Sequence, residues 1–147
     1  MQDSLLVLSS SYLSQLVHTP EIKDSLIAEV AKAADLCMKP YVHSVSLENQ
    51  FNEEKDLEDL IFKIQCRNID GEREESMDIE LEVYKSGNEV NMTLSWKYLN
   101  DRPILWQGKH AVWMDSSSGV QCEIPSDGKL FESLARRLRT IFKASLM

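Results

Sequence analysis

The sequence has few of the residues from which disulfides, metal sites and phosphate-binding loops are usually built. It contains three cysteines, three histidines and five glycines in 147 residues. Cys37, Cys66 and Cys122 are odd in number and far apart, which argues against a disulfide framework and against paired-cysteine metal motifs. The glycines are too scattered for a glycine-rich phosphate loop. We therefore expect a reducing, cytoplasmic location and no metal or other cofactor.

Long apolar stretches are also missing from the sequence. The longest uncharged apolar run is far shorter than the roughly 18 residues that a membrane-spanning helix needs. The first residues, MQDSLLVLSSS, carry Asp3 where a signal peptide carries a basic residue, and only a short apolar stretch follows. We interpret this segment as the start of a helix, and we expect no membrane partner.

Positive charge is scarce over most of the chain. The formal net charge is −8, and residues 1–100 hold nine Lys and Arg against nineteen Asp and Glu. Residues 101–147 hold seven against five. An acidic body repels nucleic acid and anionic lipid, so non-specific binding to either is disfavoured. The C-terminal part leaves room for one local basic surface.

Three segments have apolar residues at helical spacing. The first covers residues 2–18. The second begins at Thr19 and Pro20, an N-cap candidate followed by a proline suited to the first helical position, and it ends before Pro40. The third covers residues 128–144. Its apolar stripe consists of Phe131, Leu134, Leu138 and Ile141.

From about residue 58 onward the apolar period changes to two, which predicts β-strands. The clearest case is residues 77–98, where the alternation runs on both sides of Gly87 and Asn88, a pair suited to a two-residue hairpin turn. With these residues as the turn, apolar residues meet on one face, and Asp78 meets Lys97 on the other. The predicted opposite pairs are Val83 with Met92, Leu81 with Leu94, Ile79 with Trp96, and Met77 with Tyr98.

Further strands are predicted at 41–47, 60–67, 103–114 and 120–124. The segment 103–114 is apolar on both sides, which indicates that something covers its outer face as well. We therefore predict an α+β fold with two N-terminal helices, an antiparallel meander of about five to six strands, and a long C-terminal helix packed on one face. No linker or repeat interrupts the pattern, so we expect a single domain, 1–147.

Any histidine-dependent mechanism must use His18, His43 or His110. The sharpest metal hypothesis combines His43 and His110 with Cys66 and Cys122, all on predicted inward strand faces, because zinc accepts these ligand types. Nothing in the spacing brings the four residues together, and ordinary cores also bury small thiols. We therefore predict no metal site.

Other catalytic arrangements have equally little support. A serine among residues 116–118 is a potential nucleophile, but no nucleophile-elbow motif surrounds it, and serine-rich turns before a glycine are common loops. Asp78, Glu80 and Glu82 lie on the predicted solvated face, where nothing would raise a pKa enough for acid–base catalysis. We predict no catalytic residues and no enzymatic activity.

Two groups of residues are candidates for a binding surface. Trp96, Trp106 and Trp113 fit core packing, since strands favour aromatics, but Trp113 lies on the ambiguous side of its strand and fits a partner surface too. The basic stripe of the C-terminal helix either offsets the negative end of the helix dipole or recognises an acidic partner, including phosphate groups. The predicted partner-binding residues are Gln107, Lys109, Trp113, Arg136, Arg137, Arg139 and Lys143.

Three functions are compatible with these patterns. We favour a non-catalytic protein-interaction module, such as an adaptor, assembly factor or small chaperone, whose partner is another protein or a second copy of itself. The alternative is a small-molecule binder with a cavity between the sheet and the C-terminal helix, lined by Trp96, Trp106 and Phe131. A weaker alternative is binding of single-stranded nucleic acid through aromatics and arginines, which the acidic charge disfavours.

Overall fold

The computed structural model describes residues 20–48 and 59–146, and it places them in an α+β fold. Seven strands form one antiparallel sheet in which each strand pairs with the next along the chain. The predicted helix at residues 2–18 lies outside the described residues. The elements in chain order are α1 (Pro20–Cys37), β1 (Val42–Leu47), β2 (Asp59–Arg67), β3 (Ile79–Ser86), β4 (Glu89–Trp96), β5 (Ile104–Gln107), β6 (Ala111–Met114), β7 (Gln121–Cys122) and α2 (Gly128–Leu146).

The hairpin of β3 and β4 has the predicted register. Ile79 pairs with Trp96, Leu81 with Leu94, and Val83 with Met92. The turn is made by Gly87 and Asn88, and Gly87 has a φ of 63°, a value that glycine adopts without steric cost. The register therefore follows from the turn and from the burial of one face.

The ladder of this hairpin is shorter than predicted. Met77 does not pair with Tyr98, because β3 begins only at Ile79 and Met77 belongs to a 3₁₀ turn, Glu75–Met77. The sequence alternation continues past the end of the pairing, so it does not mark where the strand begins.

The predicted strand 103–114 is in fact two strands, β5 and β6, joined by a tight turn at residues 108–110. Gly108 marks the reversal. A Cβ atom at this position would lie 2.7 Å from a ring carbon of Trp106 and 2.8 Å from Oδ1 of Asn91, so only glycine fits without a shift. This division raises the strand number from the predicted five or six to seven.

Both helices pack on one face of the sheet, as predicted for the C-terminal helix. Helix α2 contacts β4 and β5, α1 contacts β1, and the two helices contact each other. The indole of Trp96 stacks on Phe131 with ring centroids 3.9 Å apart, and Phe62 meets Phe142 at 5.6 Å. The fully buried side chains that α2 contributes are Phe131, Leu134, Ala135, Leu138 and Phe142.

Within residues 20–48 and 59–146, no helix is both long enough and apolar enough to span a membrane.

Candidate functional site

The structure separates the predicted partner-binding residues into several places. Gln107 and Trp113 are buried, with 3% and 4% of their surface exposed, because both point to the sheet face that α2 covers. The Trp113 indole Nε1 donates to Glu132 at 2.8 Å, and its ring stacks near Phe131. The expected surface position of these two side chains is therefore wrong, and in this fold they belong to the core.

The remaining predicted cations fall into two classes. Arg139 is bound to the β3–β4 hairpin, where its guanidinium donates to the Val90 carbonyl at 3.1 Å and to the Glu89 carboxylate at 2.9 Å. Lys109 lies in the β5–β6 turn, 3.8 Å from the same carboxylate, and its side chain is 73% exposed. Lys143 is exposed near the end of α2.

Arg136 and Arg137 are brought together in a groove between α1 and α2, which we call the interhelical groove. It has a volume of about 590 Å³ and lies along residues 29–37 of α1 and 133–141 of α2. Its apolar lining consists of Ala33, Leu36, Cys37 and Ile141, and its charged lining consists of Glu29, Lys32, Arg136 and Arg137.

The sequences of the two helices explain why a groove forms here. In α1, Ala33 and Ala34 are buried, and the small side chain of Ala33 fills little of the space between the helices. Leu36 lies one turn further along and is 45% exposed. Its side chain therefore gives the groove an accessible apolar surface.

The charges of the groove are unmatched within the described part of the chain. Neither Lys32 nor Arg137 forms an ion pair with any residue that the structure describes. Among the same residues, the Arg136 guanidinium donates only to the Ser133 hydroxyl, at 3.4 Å. With Glu29 opposite three cations, the lining has an excess of positive charge in a chain whose net charge is −8.

The loop before β3 holds a carboxylate that sequence reasoning misplaced. Asp78 does not pair with the Lys97 side chain on a wet face. It is fully buried, receives two hydrogen bonds from the Arg73 guanidinium at 2.9 and 2.7 Å, and accepts the backbone N–H of Cys66 at 2.8 Å. Burial alone would raise the pKa of Asp78, but these hydrogen bonds outweigh it and hold the pKa below its ordinary value.

The Cys66 thiol beside this pair is unsuited to chemistry. Burial, and secondarily the charge of Asp78, raise the pKa of the thiol to about 11. A thiol that stays protonated at neutral pH is a poor nucleophile and a poor metal ligand. Cys66 is therefore a core residue.

The sheet face opposite the two helices carries a second departure from the prediction. Glu82 was expected to have an ordinary pKa, but a hydrogen bond with Asp59, together with partial burial and the neighbouring negative charges, raises its pKa to about 7. Asp59 and Glu82 lie on adjacent strands beside Tyr84, around a cavity of about 430 Å³. The lining of this cavity, Asp59, Glu82, Tyr84, Lys85 and Thr93, includes no histidine or cysteine that the raised carboxyl would activate.

The four residues of the metal hypothesis are not brought together. His43 and Cys66 are neighbours on β1 and β2, but Cys122 lies on β7 at the far edge of the sheet, and His110 is exposed in the β5–β6 turn. The His43 ring nitrogen Nδ1 instead lies 3.0 Å from the Asp35 carboxylate. Over the described residues, no group of three or more His, Cys, Asp or Glu is arranged to hold a metal ion.

The three tryptophans are divided between the two faces of the sheet. Trp96 and Trp113 point towards α2, whereas Trp106 lies on the opposite face, where its indole Nε1 donates to the Tyr84 hydroxyl at 2.7 Å. Trp96, Trp106 and Phe131 therefore do not line one cavity. The serine turn 116–118 is also structural, because Asp115 accepts hydrogen bonds from Ser117 and Ser118.

Comparison with known proteins adds a family. A family model described as a domain of unknown function, DUF8659, matches residues 27–141. This range contains every residue that lines the interhelical groove. No curated protein and no solved structure matches the chain.

Proposed function

The chain belongs to the DUF8659 family, and we propose that it is a non-catalytic protein-interaction module that holds a segment of a partner protein in the interhelical groove. The proposal includes the roles of an adaptor, an assembly factor and a small chaperone. The proposal includes a cytoplasmic location, which is supported by Cys37, Cys66 and Cys122, all free thiols.

One observation carries the proposal: the interhelical groove joins an open apolar floor to cations that no described residue neutralises. An apolar floor stabilises a ligand by removing its apolar surface from water, at about 25 cal/mol per Å². Charged groups at a rim add orientation and specificity. The volume of about 590 Å³ lies in the range of ordinary ligand sites, so it admits several side chains.

The chemistry of the lining supports binding rather than catalysis. The groove contains a thiol, Cys37, and two hydroxyls, Ser133 and Thr140, but no histidine and a single carboxylate. Nucleophilic catalysis needs a base within hydrogen-bonding distance of the nucleophile, and the lining provides no such pair. Its cations and apolar side chains are groups that hold a ligand.

The other two functions receive less support from the arrangement. A ligand cavity under α2 conflicts with the stacking of Phe131 on Trp96 at 3.9 Å. Binding of single-stranded nucleic acid needs aromatics and cations on one surface. Here Trp96 is buried, Trp106 lies on the opposite sheet face, and Arg136 and Arg137 lie between the helices.

Site-specific cross-linking in cells tests this proposal. The photoreactive residue p-benzoylphenylalanine replaces Leu36 in the groove or, in the matched control, Ile69, which is 77% exposed in the loop after β2. We expect position 36 to cross-link one defined protein segment, identified by mass spectrometry, and position 69 not to cross-link it. Equal labelling from both positions, or no adduct from position 36, would contradict the proposal.

A further inference from the structure

We infer that the segment held in the interhelical groove is a short, acidic amphipathic helix. This inference rests on the proposed function and adds the secondary structure, the length and the charge of the occupant. Each of these follows from a different property of the groove.

The walls of the groove determine the secondary structure. Both walls are helices, whose backbone N–H and C=O groups are bonded within each helix, so they offer no open edge to an extended chain. A strand laid in the groove would bury backbone polar groups without partners, which is costly. A helix satisfies its own backbone and presents only side chains, as in other helix-in-groove complexes.

The dimensions of the groove determine the length. The lining covers residues 29–37 of α1 and 133–141 of α2. At a rise of about 1.5 Å per residue each wall is about 12 Å long, which corresponds to roughly two turns of a bound helix. Such a helix places two apolar side chains, at i and i+4, against Leu36 and Ile141.

The charges of the groove determine the composition of the polar face. Lys32, Arg136 and Arg137 share the groove with a single carboxylate, Glu29, so an occupant with Asp or Glu beside its apolar face forms ion pairs that no described residue supplies. The guanidinium groups favour carboxylates because they can bond both oxygens at once. The acidic body of the protein repels a long polyanion, whereas a short segment mainly experiences charges within the Debye length of about 8 Å.

A selection from displayed peptides tests the inference with a defined probe. The library has 14-residue helical peptides with leucine at i and i+4 and random residues elsewhere. It is selected against the full-length protein, against the double variant Arg136→Glu/Arg137→Glu, and against Lys129→Glu/Lys143→Glu. The last variant is a matched control because it changes the net charge equally at exposed α2 positions outside the groove lining.

The expected result is a reversal of sign. The unchanged protein and the control should enrich Asp and Glu on one flank of the leucine face, and Arg136→Glu/Arg137→Glu should enrich Lys and Arg. Fluorescence anisotropy titrations then measure the affinity of the most enriched acidic peptide. It should bind Arg136→Glu/Arg137→Glu at least tenfold more weakly than it binds the unchanged protein. Its affinity for the Lys129→Glu/Lys143→Glu control should lie within about twofold of its affinity for the unchanged protein.

Several outcomes would overturn the inference, and they are distinguishable from failure of the proposed function. If the unchanged protein enriches peptides without a charge preference, or enriches basic peptides, the occupant is not acidic and the inference is wrong. If the unchanged protein binds a labelled oligonucleotide more tightly than the acidic peptide, the occupant is not a peptide and the inference is wrong. If no peptide is enriched but position 36 still cross-links a partner segment, the occupant is not an acidic helix, yet the groove still binds protein. If position 36 also gives no adduct, both proposals fail.

Discussion

The arginine of the loop before β3 and the arginines of the interhelical groove differ in one respect. In the loop before β3, Arg73 meets a fully buried carboxylate, and both oxygens of Asp78 are bonded. In the interhelical groove, Arg136 and Arg137 have no acidic partner among the described residues. The first arrangement is complete within the chain and stabilises the fold. The second has charge that no described residue neutralises, and this difference is the basis of our proposal that the groove binds a partner.

The largest expected effect on the free energy of unfolding comes from the pair of Arg73 and Asp78. Asp78→Ala leaves the Arg73 guanidinium and the Cys66 N–H without their shared acceptor, so we expect the free energy of unfolding to fall by about 3 kcal/mol. Urea denaturation at pH 7 measures this loss. Asp70→Ala, at an exposed position in the same loop, is the control and should change little.

The stabilisation by Asp78 should also depend on pH. Because its pKa is lowered in the folded state, the contribution is present above the ordinary pKa of 3.8 and is lost as the pH falls through the folded value. The difference between the unchanged protein and Asp78→Ala should therefore shrink on acidification below about pH 4. A difference under about 0.5 kcal/mol at pH 7 would show that the pair is not important for folding.

Arg139 lies on α2, as the groove arginines do, but it is paired with a carboxylate, as Arg73 is. Arg139→Ala removes the bonds to Glu89 and to the Val90 carbonyl that connect α2 to the β3–β4 hairpin. We expect a loss of about 1.5 kcal/mol in thermal or chemical unfolding. Arg136→Ala, one turn away, should lose almost nothing. Equal losses would remove the distinction between paired and unpaired arginines on this helix.

Glu82 shows the opposite pH dependence from Asp78. Its raised pKa of about 7 means that the folded state favours the protonated carboxyl, so its stabilisation is complete below the ordinary pKa of 4.5 and is lost as the pH rises through about 7. Glu82→Gln keeps the neutral form and should be more stable than the unchanged protein by about 1 kcal/mol at pH 8.5, after allowance for solvent screening. At pH 4 the two should be equal, and Glu123→Gln, at an exposed position, should show no such trend.

The smallest effect on folding is expected in the groove. Arg136→Glu/Arg137→Glu removes no ion pair among the described residues, so the free energy of unfolding should change by less than about 0.5 kcal/mol. Far-UV circular dichroism and urea denaturation check this. A loss near that of Asp78→Ala would mean that the two arginines support the fold, and it would weaken their assignment to binding.

The alternation of residues predicted part of this structure, for physical reasons that individual residues make clear. The register of β3 and β4 was predictable because Gly87 and Asn88 form a local turn and one face is buried. Asp78 was misplaced because alternation gives the face of a strand residue but does not show that a neighbouring loop covers it. Gln107 and Trp113 were misplaced because a strand that is apolar on both sides does not reveal which side faces the helix.

Sequence patterns could not predict the groove. Its walls are separated by about a hundred residues, and its existence depends on how closely α1 and α2 approach each other over the sheet. The cations of α2 were visible in the sequence. Only packing shows that Arg139 is used internally while Arg136 and Arg137 face the cleft.

The most direct test of the groove as a binding site combines the cross-linker with charge reversal. Protein carrying p-benzoylphenylalanine at position 36 is irradiated in cells, alone or with Arg136→Glu/Arg137→Glu or Lys129→Glu/Lys143→Glu, and the adduct with the partner is quantified. Our account predicts that reversal of the groove arginines lowers the yield at least tenfold while the Lys129 and Lys143 control retains it. An unchanged yield with Arg136→Glu/Arg137→Glu would contradict the account.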